Sequence, residues 1–157
     1  NFTAAGDTAS VQEYMYTPYG KDSIVKIRQF NSDPPQLWTV HSYSDKGTEI
    51  ARTVVGFSDA GIADTIESIS YSYSNGLLSE EISNQKDKTL RTTYTYDKQG
   101  NLLSETRYES VEGEEKLVRK NEMTYDQQNN LSEKADFLIS LNGTRPYRTF
   151  RYTYEYK

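Results

Sequence analysis

The sequence predicts an all-β protein of tandem antiparallel β-hairpin repeats, forming a curled meander sheet shaped as an open trough or barrel-like form. Three observations predict it: an aromatic-x-Tyr unit, with Met in place of the aromatic in one copy, recurs six times, turn signals follow its central copies, and side-chain parity is kept from copy to copy.

The units are Tyr14-Met15-Tyr16, His41-Ser42-Tyr43, Tyr71-Ser72-Tyr73, Tyr94-Thr95-Tyr96, Met123-Thr124-Tyr125 and Tyr152-Thr153-Tyr154. Their second tyrosines, Tyr16, Tyr43, Tyr73, Tyr96, Tyr125 and Tyr154, are separated by steps of 27, 30, 23, 29 and 29 residues. That period suits an array of small supersecondary units, here pairs of strands. Residues 1 to 10 are small and polar and read as a flexible terminus, which leaves residues 11 to 157 as one repeat domain of about six units.

The turns are legible next. Asp97-Lys98-Gln99-Gly100-Asn101 precedes Leu102-Leu103-Ser104-Glu105, and Asp126-Gln127-Gln128-Asn129-Asn130 precedes Leu131-Ser132-Glu133. Asp opens such turns by accepting hydrogen bonds from nearby backbone, and Gly or Asn supplies the positive φ. In the third unit the turn shortens to Ser74-Asn75-Gly76, with Asn-Gly as a two-residue hairpin signal. Tyr73 to Leu77 spans four residues and Tyr96 to Leu102 spans six, so both arrangements keep the same residues on the same face.

Polar stretches Ser83-Asn84-Gln85-Lys86-Asp87-Lys88 and Glu112-Gly113-Glu114-Glu115-Lys116 read as loops at the opposite rim. The Asn31-Ser32-Asp33-Pro34-Pro35 connection excludes a central strand, because proline cannot donate to a ladder. About twelve short strands are expected, with one aromatic face and one face of Thr, Ser and charged residues.

Composition agrees. Hydrophobic residues make up 34% of 157 and the mean hydropathy is -0.85, so the apolar core is thin. Fourteen Tyr, five Phe and one Trp compensate, since tyrosine buries a ring while its hydroxyl finds a polar partner. A net charge of -5 and a pI near 5.0 remove the bulk attraction that nonspecific nucleic-acid binding needs. With no cysteine, disulfides and thiolate chemistry are excluded. No apolar run reaches the length of a transmembrane helix. A chain beginning at Asn1 without Met reads as trimmed or as a mature product after signal removal.

Tyr94-Thr95-Tyr96-Asp97-Lys98-Gln99-Gly100-Asn101-Leu102 resembles the YD repeat of Rhs and teneurin-type shells, whose pattern is Tyr-Asp, two residues, Gly, Arg or Asn, then Leu. Tyr125-Asp126-Gln127-Gln128-Asn129-Asn130-Leu131 lacks the Gly, and in Tyr43-Ser44-Asp45-Lys46-Gly47 the Asp is displaced. With partial copies the resemblance covers residues 11 to 157. The chain is too short to enclose a cargo, and it is more similar to small, exported, uncharacterised YD-repeat-like proteins of Bacteroidetes. The resemblance implies a β-hairpin fold and a secreted or cell-envelope location, periplasmic or surface, and implies no catalytic residues.

Candidate chemistry is sparse. His41, the single histidine, occupies a repeat position held elsewhere by Tyr, which favours a structural role over catalysis. Asp97 and Asp126 fit turn initiation better than calcium ligation, and no metal site or cofactor is expected. No nucleophile elbow, phosphate-cradling loop or zinc-type histidine spacing occurs. The aromatics off the repeat register, Trp38, Tyr19 and Tyr147, are the candidate ligand-contact residues, because cross-strand packing accounts for the paired ones.

The expected function is a non-enzymatic exported binding or scaffolding module with a protein or glycan partner. The alternatives are a structural shell fragment packing on another protein or on itself, and third a glycan-active enzyme.

Overall fold

A computed structural model describes residues 10–18, 20–29, 37–58, 60–140 and 143–154. The expected flexible terminus falls outside these except for Ser10, which opens the first strand, and the Pro34-Pro35 connection also lies outside them. Eleven strands follow in order: β1 (Ser10–Tyr16), β2 (Asp22–Gln29), β3 (Leu37–Tyr43), β4 (Glu49–Phe57), β5 (Ala63–Ser74), β6 (Leu77–Gln85), β7 (Thr89–Tyr96), β8 (Leu102–Val111), β9 (Glu114–Tyr125), β10 (Leu131–Ser140) and β11 (Gly143–Arg151). Strand order is chain order, with β1 and β11 at the two ends of that order. The all-β meander expected from the tyrosine register is therefore the observed fold, with eleven strands among the described residues where about twelve were expected.

The chain divides into two compact units, Asn1–Tyr71 with Ser83–Lys86, and Ser72–Ile82 with Asp87–Lys157. In both units one turn recurs, five times among the described residues. The backbone N–H of Thr17, Ser44, Ser58, Asp97 and Asp126 donates to the carbonyl four residues on, and the residue three on donates back to the opener's carbonyl. At that third position stand Gly20, Gly47, Gly61, Gly100 and Asn129, all with positive φ. The opener's side-chain oxygen accepts the N–H four residues on in every case, from Lys21, Thr48, Ile62, Asn101 and Asn130. Ser44 thus does the work of the aspartate that looked displaced in the sequence, since a hydroxyl oxygen on Cβ reaches the same N–H as a carboxylate oxygen on Cγ.

Each of four such turns is followed by a one-residue bulge. Tyr16 faces Asp22 but Met15 faces Ile24; Tyr43 faces Glu49 but Ser42 faces Ala51. Tyr96 faces Leu102 but Thr95 faces Ser104; Tyr125 faces Leu131 but Thr124 faces Glu133. The extra residue increases local twist while keeping each tyrosine paired with the first residue of the returning strand. The β5–β6 connection is the short Asn75-Gly76 turn, with φ 52 and 80, as a two-residue type I′ hairpin requires.

In the second unit the tyrosines form a staircase. The hydroxyl of Tyr96 donates to the carbonyl of Leu78 (2.9 Å), Tyr125 to Leu102 (3.0 Å) and Tyr154 to Leu131 (3.1 Å). Leu102 and Leu131 are the residues paired with Tyr96 and Tyr125, so each step of the staircase rests on the hairpin before it. β11 ends at Arg151, yet the Tyr152 N–H still donates to the Ser132 carbonyl (3.0 Å), which carries the pairing toward Tyr154.

The faces are less segregated than expected. Tyr94 is paired with Glu105 and Thr92 with Arg107, and Glu105, Asn121, Asp136 and Arg148 face one another in turn across β8 to β11. The tyrosine face of this unit therefore also carries a charged row, which corrects the expectation of an aromatic face opposite a polar one. A sequence with so few aliphatic residues fills that face with paired polar groups instead.

Among the described residues of this unit the most buried side chains are polar: Thr92 is 1% exposed and Asn121 is 2% exposed. Each lies four residues before a repeat tyrosine. Thr92 accepts from Arg107 Nε (3.1 Å). Asn121, with its amide oriented to satisfy both ends, donates to Asp136 Oδ1 (3.0 Å) and accepts from Arg119 Nε and Nη2 (3.2 Å each).

In the first unit the corresponding position holds Ile69, buried and paired with Arg52. Beside it the hydroxyl of Ser83 and the amide of Gln85 donate to Glu67 Oε1 (2.6 and 3.0 Å). The Ser83 and Gln85 bonds hold the Glu67 carboxyl below its usual value. Ser83 to Gln85 therefore end β6, and Glu114 to Lys116 begin β9 after a Glu112-Gly113 turn with φ 54 and 85, where loops were expected. Their polarity marks hydrogen-bonded strand positions on a half-wet sheet.

Candidate functional site

Unequal turns create a groove. In the second unit the Asn75-Gly76 turn of β5–β6 is two residues long, while the turn from Asp97 to Asn101 is longer. The difference leaves a cavity of about 670 Å³, lined by Asn75, Leu77, Ser79, Tyr94, Tyr96 and Lys98 among others. Gly100 seats the long turn against its neighbour: a Cβ added there would stand 3.8 Å from Leu77 Cδ1, and its φ of +91° is one that side-chain-bearing residues rarely adopt.

Asp97, Tyr96 and Ser79, groups in the groove that could do chemistry, are engaged in the fold. Asp97 Oδ1 accepts from the N–H of Gln99 (2.9 Å) and Asn101 (2.8 Å), and Oδ2 accepts from Asn101 Nδ2 (2.8 Å). The Asn101 amide, followed by the turn N–H groups, pulls the Asp97 carboxyl below its ordinary value. Burial pushes the Tyr94 phenol up, with Glu81 and Glu105 adding to it and Arg107 opposing. Burial also raises Tyr96, whose hydroxyl is already committed to Leu78. Ser79 donates to the Ser72 carbonyl (3.0 Å).

What remains available lies in the two turns. The side chains of Asn75, Lys98 and Gln99 make no hydrogen bond or ion pair among the described residues. All three are exposed. Together they present two amides and an ammonium around a polar recess with an apolar strip at Leu77.

The residues singled out from sequence are placed elsewhere. Trp38 lies on β3 opposite Val55, half-buried, with its ring 5.0 Å from Phe57 at a 51° tilt and its indole N–H shielded from solvent. Tyr147 is the bulged residue of β11 and is 67% exposed, with the Arg148 guanidinium 5.5 Å from its ring. Tyr19 lies outside the described residues. Neither Trp38 nor Tyr147 lines the groove, and they belong to different units. The signal that points to the groove is present in the sequence as the contrast in length between Ser74-Asn75-Gly76 and Asp97-to-Asn101, which by itself sets only parity.

His41 Nδ1 lies 2.8 Å from Glu49 Oε1, and its ring stacks on Tyr43 at 6.5 Å. Lys21 sits over the same Tyr43 ring at 5.5 Å and donates to the Gly47 carbonyl. The histidine thus joins a cross-strand pair within a hairpin, in the manner of the aromatics it replaces.

No family model matches this chain, and no curated protein matches it. Among solved structures it is similar to a protein of unknown function from Bacteroides fragilis NCTC 9343, at 15% identity and a TM-score of 0.43, covering 73% of this chain and 91% of that one.

Proposed function

We propose that this chain is a non-enzymatic binding module, exported to the envelope or surroundings of a bacterium and related to YD-repeat hairpin proteins. It takes a polar chain, a glycan or a peptide backbone, into the groove between its unequal turns. The observation that carries this reading is the division of roles in the groove. Asp97 and the Tyr96 hydroxyl hold the turns and strands, whereas Asn75, Lys98 and Gln99 keep their donors and acceptors for a ligand.

The chemistry favours binding over turnover. A carboxyl held ionised by several N–H donors is a poor general acid, and phenols raised by burial stay neutral near pH 7. Glycoside hydrolysis needs two carboxyls flanking one bond, and among the described residues Asp97 is the one acid lining this groove. The YD relation is supported by five turns that share one hydrogen-bond pattern, three of them opened by Ser or Thr in place of Asp.

The test is a glycan and peptide array probed with the whole chain, repeated with Lys98→Ala/Gln99→Ala. Retained hits that fall by about tenfold or more in the double variant support the groove, a loss in the range expected for two polar contacts. Hits unaffected by the double variant overturn it.

A further inference from the structure

The tyrosine-bearing face of β11 differs from the rest of the molecule in charge. The chain carries a net charge of -5, yet residues 143 to 154 contain Arg145, Arg148 and Arg151 and no acid. Arg151 is taken by Glu133 at 3.0 Å. Arg145 and Arg148 have no carboxylate partner among the described residues, and neither does Lys134, which stands opposite Phe150 on β10. Asp136 faces Arg148 across the strands, but its Oδ1 is engaged by the buried Asn121 amide.

The same face is aromatic. Tyr147, Phe150, Tyr152 and Tyr154 are all exposed, and by strand alternation the last three fall on the side of Arg148. The Arg148 guanidinium lies over the rings of both Tyr147 and Phe150, at 5.5 and 5.7 Å. Such a cradle orients the cation while leaving its N–H edge open. From Tyr147 to Tyr154 the strip runs roughly 23 Å at the strand rise of about 3.3 Å per residue.

We propose that this strip is a second binding site, separate from the groove, and that it takes a linear acidic polysaccharide bearing carboxylate or sulfate groups. Flat ring faces stack on the apolar faces of sugars, and Arg145, Arg148 and Lys134 meet its acid groups in charge-assisted bonds. The cations are separated by aromatic residues, which matches a polymer whose acid groups are spaced by sugar rings. A nucleic-acid strand carries a charge about every 3.4 Å and calls for a denser cationic row. β11 itself discourages strand addition by a second copy, since it contains Pro146, a bulge at Tyr147 and repeated arginines.

The experiment titrates the full chain with an oligouronate, a sulfated glycosaminoglycan oligosaccharide, a neutral glucan oligosaccharide and oligo-dT, each at two salt concentrations, with sedimentation to follow self-association. The expected result is binding of the acidic oligosaccharides over the other two, weakened by salt. Arg145→Gln/Arg148→Gln should lower that affinity at least about tenfold. Tyr147→Ser should lower it too, and Lys116→Gln in the β8–β9 hairpin should not, with the β spectrum retained throughout. Equal binding of the neutral glucan, tighter binding of oligo-dT, self-association in place of binding, no binding, or indifference to the arginine pair would each overturn the proposal.

Discussion

The hydroxyl of Tyr125 donates to the backbone carbonyl of Leu102 across 3.0 Å, and Leu102 is the residue that pairs with the preceding repeat tyrosine, Tyr96. One bond therefore ties each hairpin of the second unit to the one before it. Tyr125→Phe keeps the ring and removes only that bond, so a loss of about 0.5 to 1.5 kcal/mol is expected. Urea denaturation with an unchanged m-value and a lowered midpoint checks it. An unchanged midpoint would show that the staircase is decorative.

Acid should weaken the protein through Asp97. Its folded pKa is lowered from the ordinary 3.8, first by the Asn101 amide and then by turn N–H groups. A depressed carboxyl contributes stability that is fully present above the unfolded value and is lost as pH falls through the folded one. Thermal melts should thus decline below about pH 4. Asp97→Asn should flatten that decline, and a variant with the same acid slope as the parent would count against the assignment.

Gly76 has φ +80 and open space around a would-be Cβ. Gly76→Val therefore meets no neighbour and pays only for left-handed backbone, about 1 to 2 kcal/mol. Gly76→Asn should recover most of that loss, because Asn tolerates the conformation. Equal stability of the two variants by chemical denaturation would contradict the turn geometry.

Asn121 is an amide clamp buried between Arg119 and Asp136. Asn121→Ala leaves those charged groups without their bridge, and a destabilisation of about 1 to 3 kcal/mol is expected. Hydrogen exchange of β9 and β10 should speed up in this variant. Unchanged protection there would argue that the polar row adds nothing to the fold.

The fold was legible because tyrosine parity and turn residues are local signals, and both survive in Tyr96, Asp97 and Gly100 without knowledge of neighbours. Ser44 and Ser58 were not read as turn openers because a hydroxyl in place of Asp97's carboxylate looks like any surface serine until its N–H partner is seen. Ser83 and Glu114 looked like loop for a similar reason: a strand on a half-wet sheet can be polar on both faces when cross-strand groups satisfy it. The groove was not legible, since it arises from the juxtaposition of two turns more than twenty residues apart in sequence. Trp38 stood out by composition, and its packing on Phe57 depends on a β3–β4 register that composition does not reveal.

The most direct measurement is amide chemical-shift mapping of the whole chain with the strongest array ligand, followed on the same sample by analysis of that ligand for cleavage. The expected result is shifts concentrated at residues 75 to 77 and 97 to 100, with the ligand recovered intact. Shifts that leave both turns untouched, or a ligand recovered as cleavage products, would contradict a binding module built on the step between its hairpins.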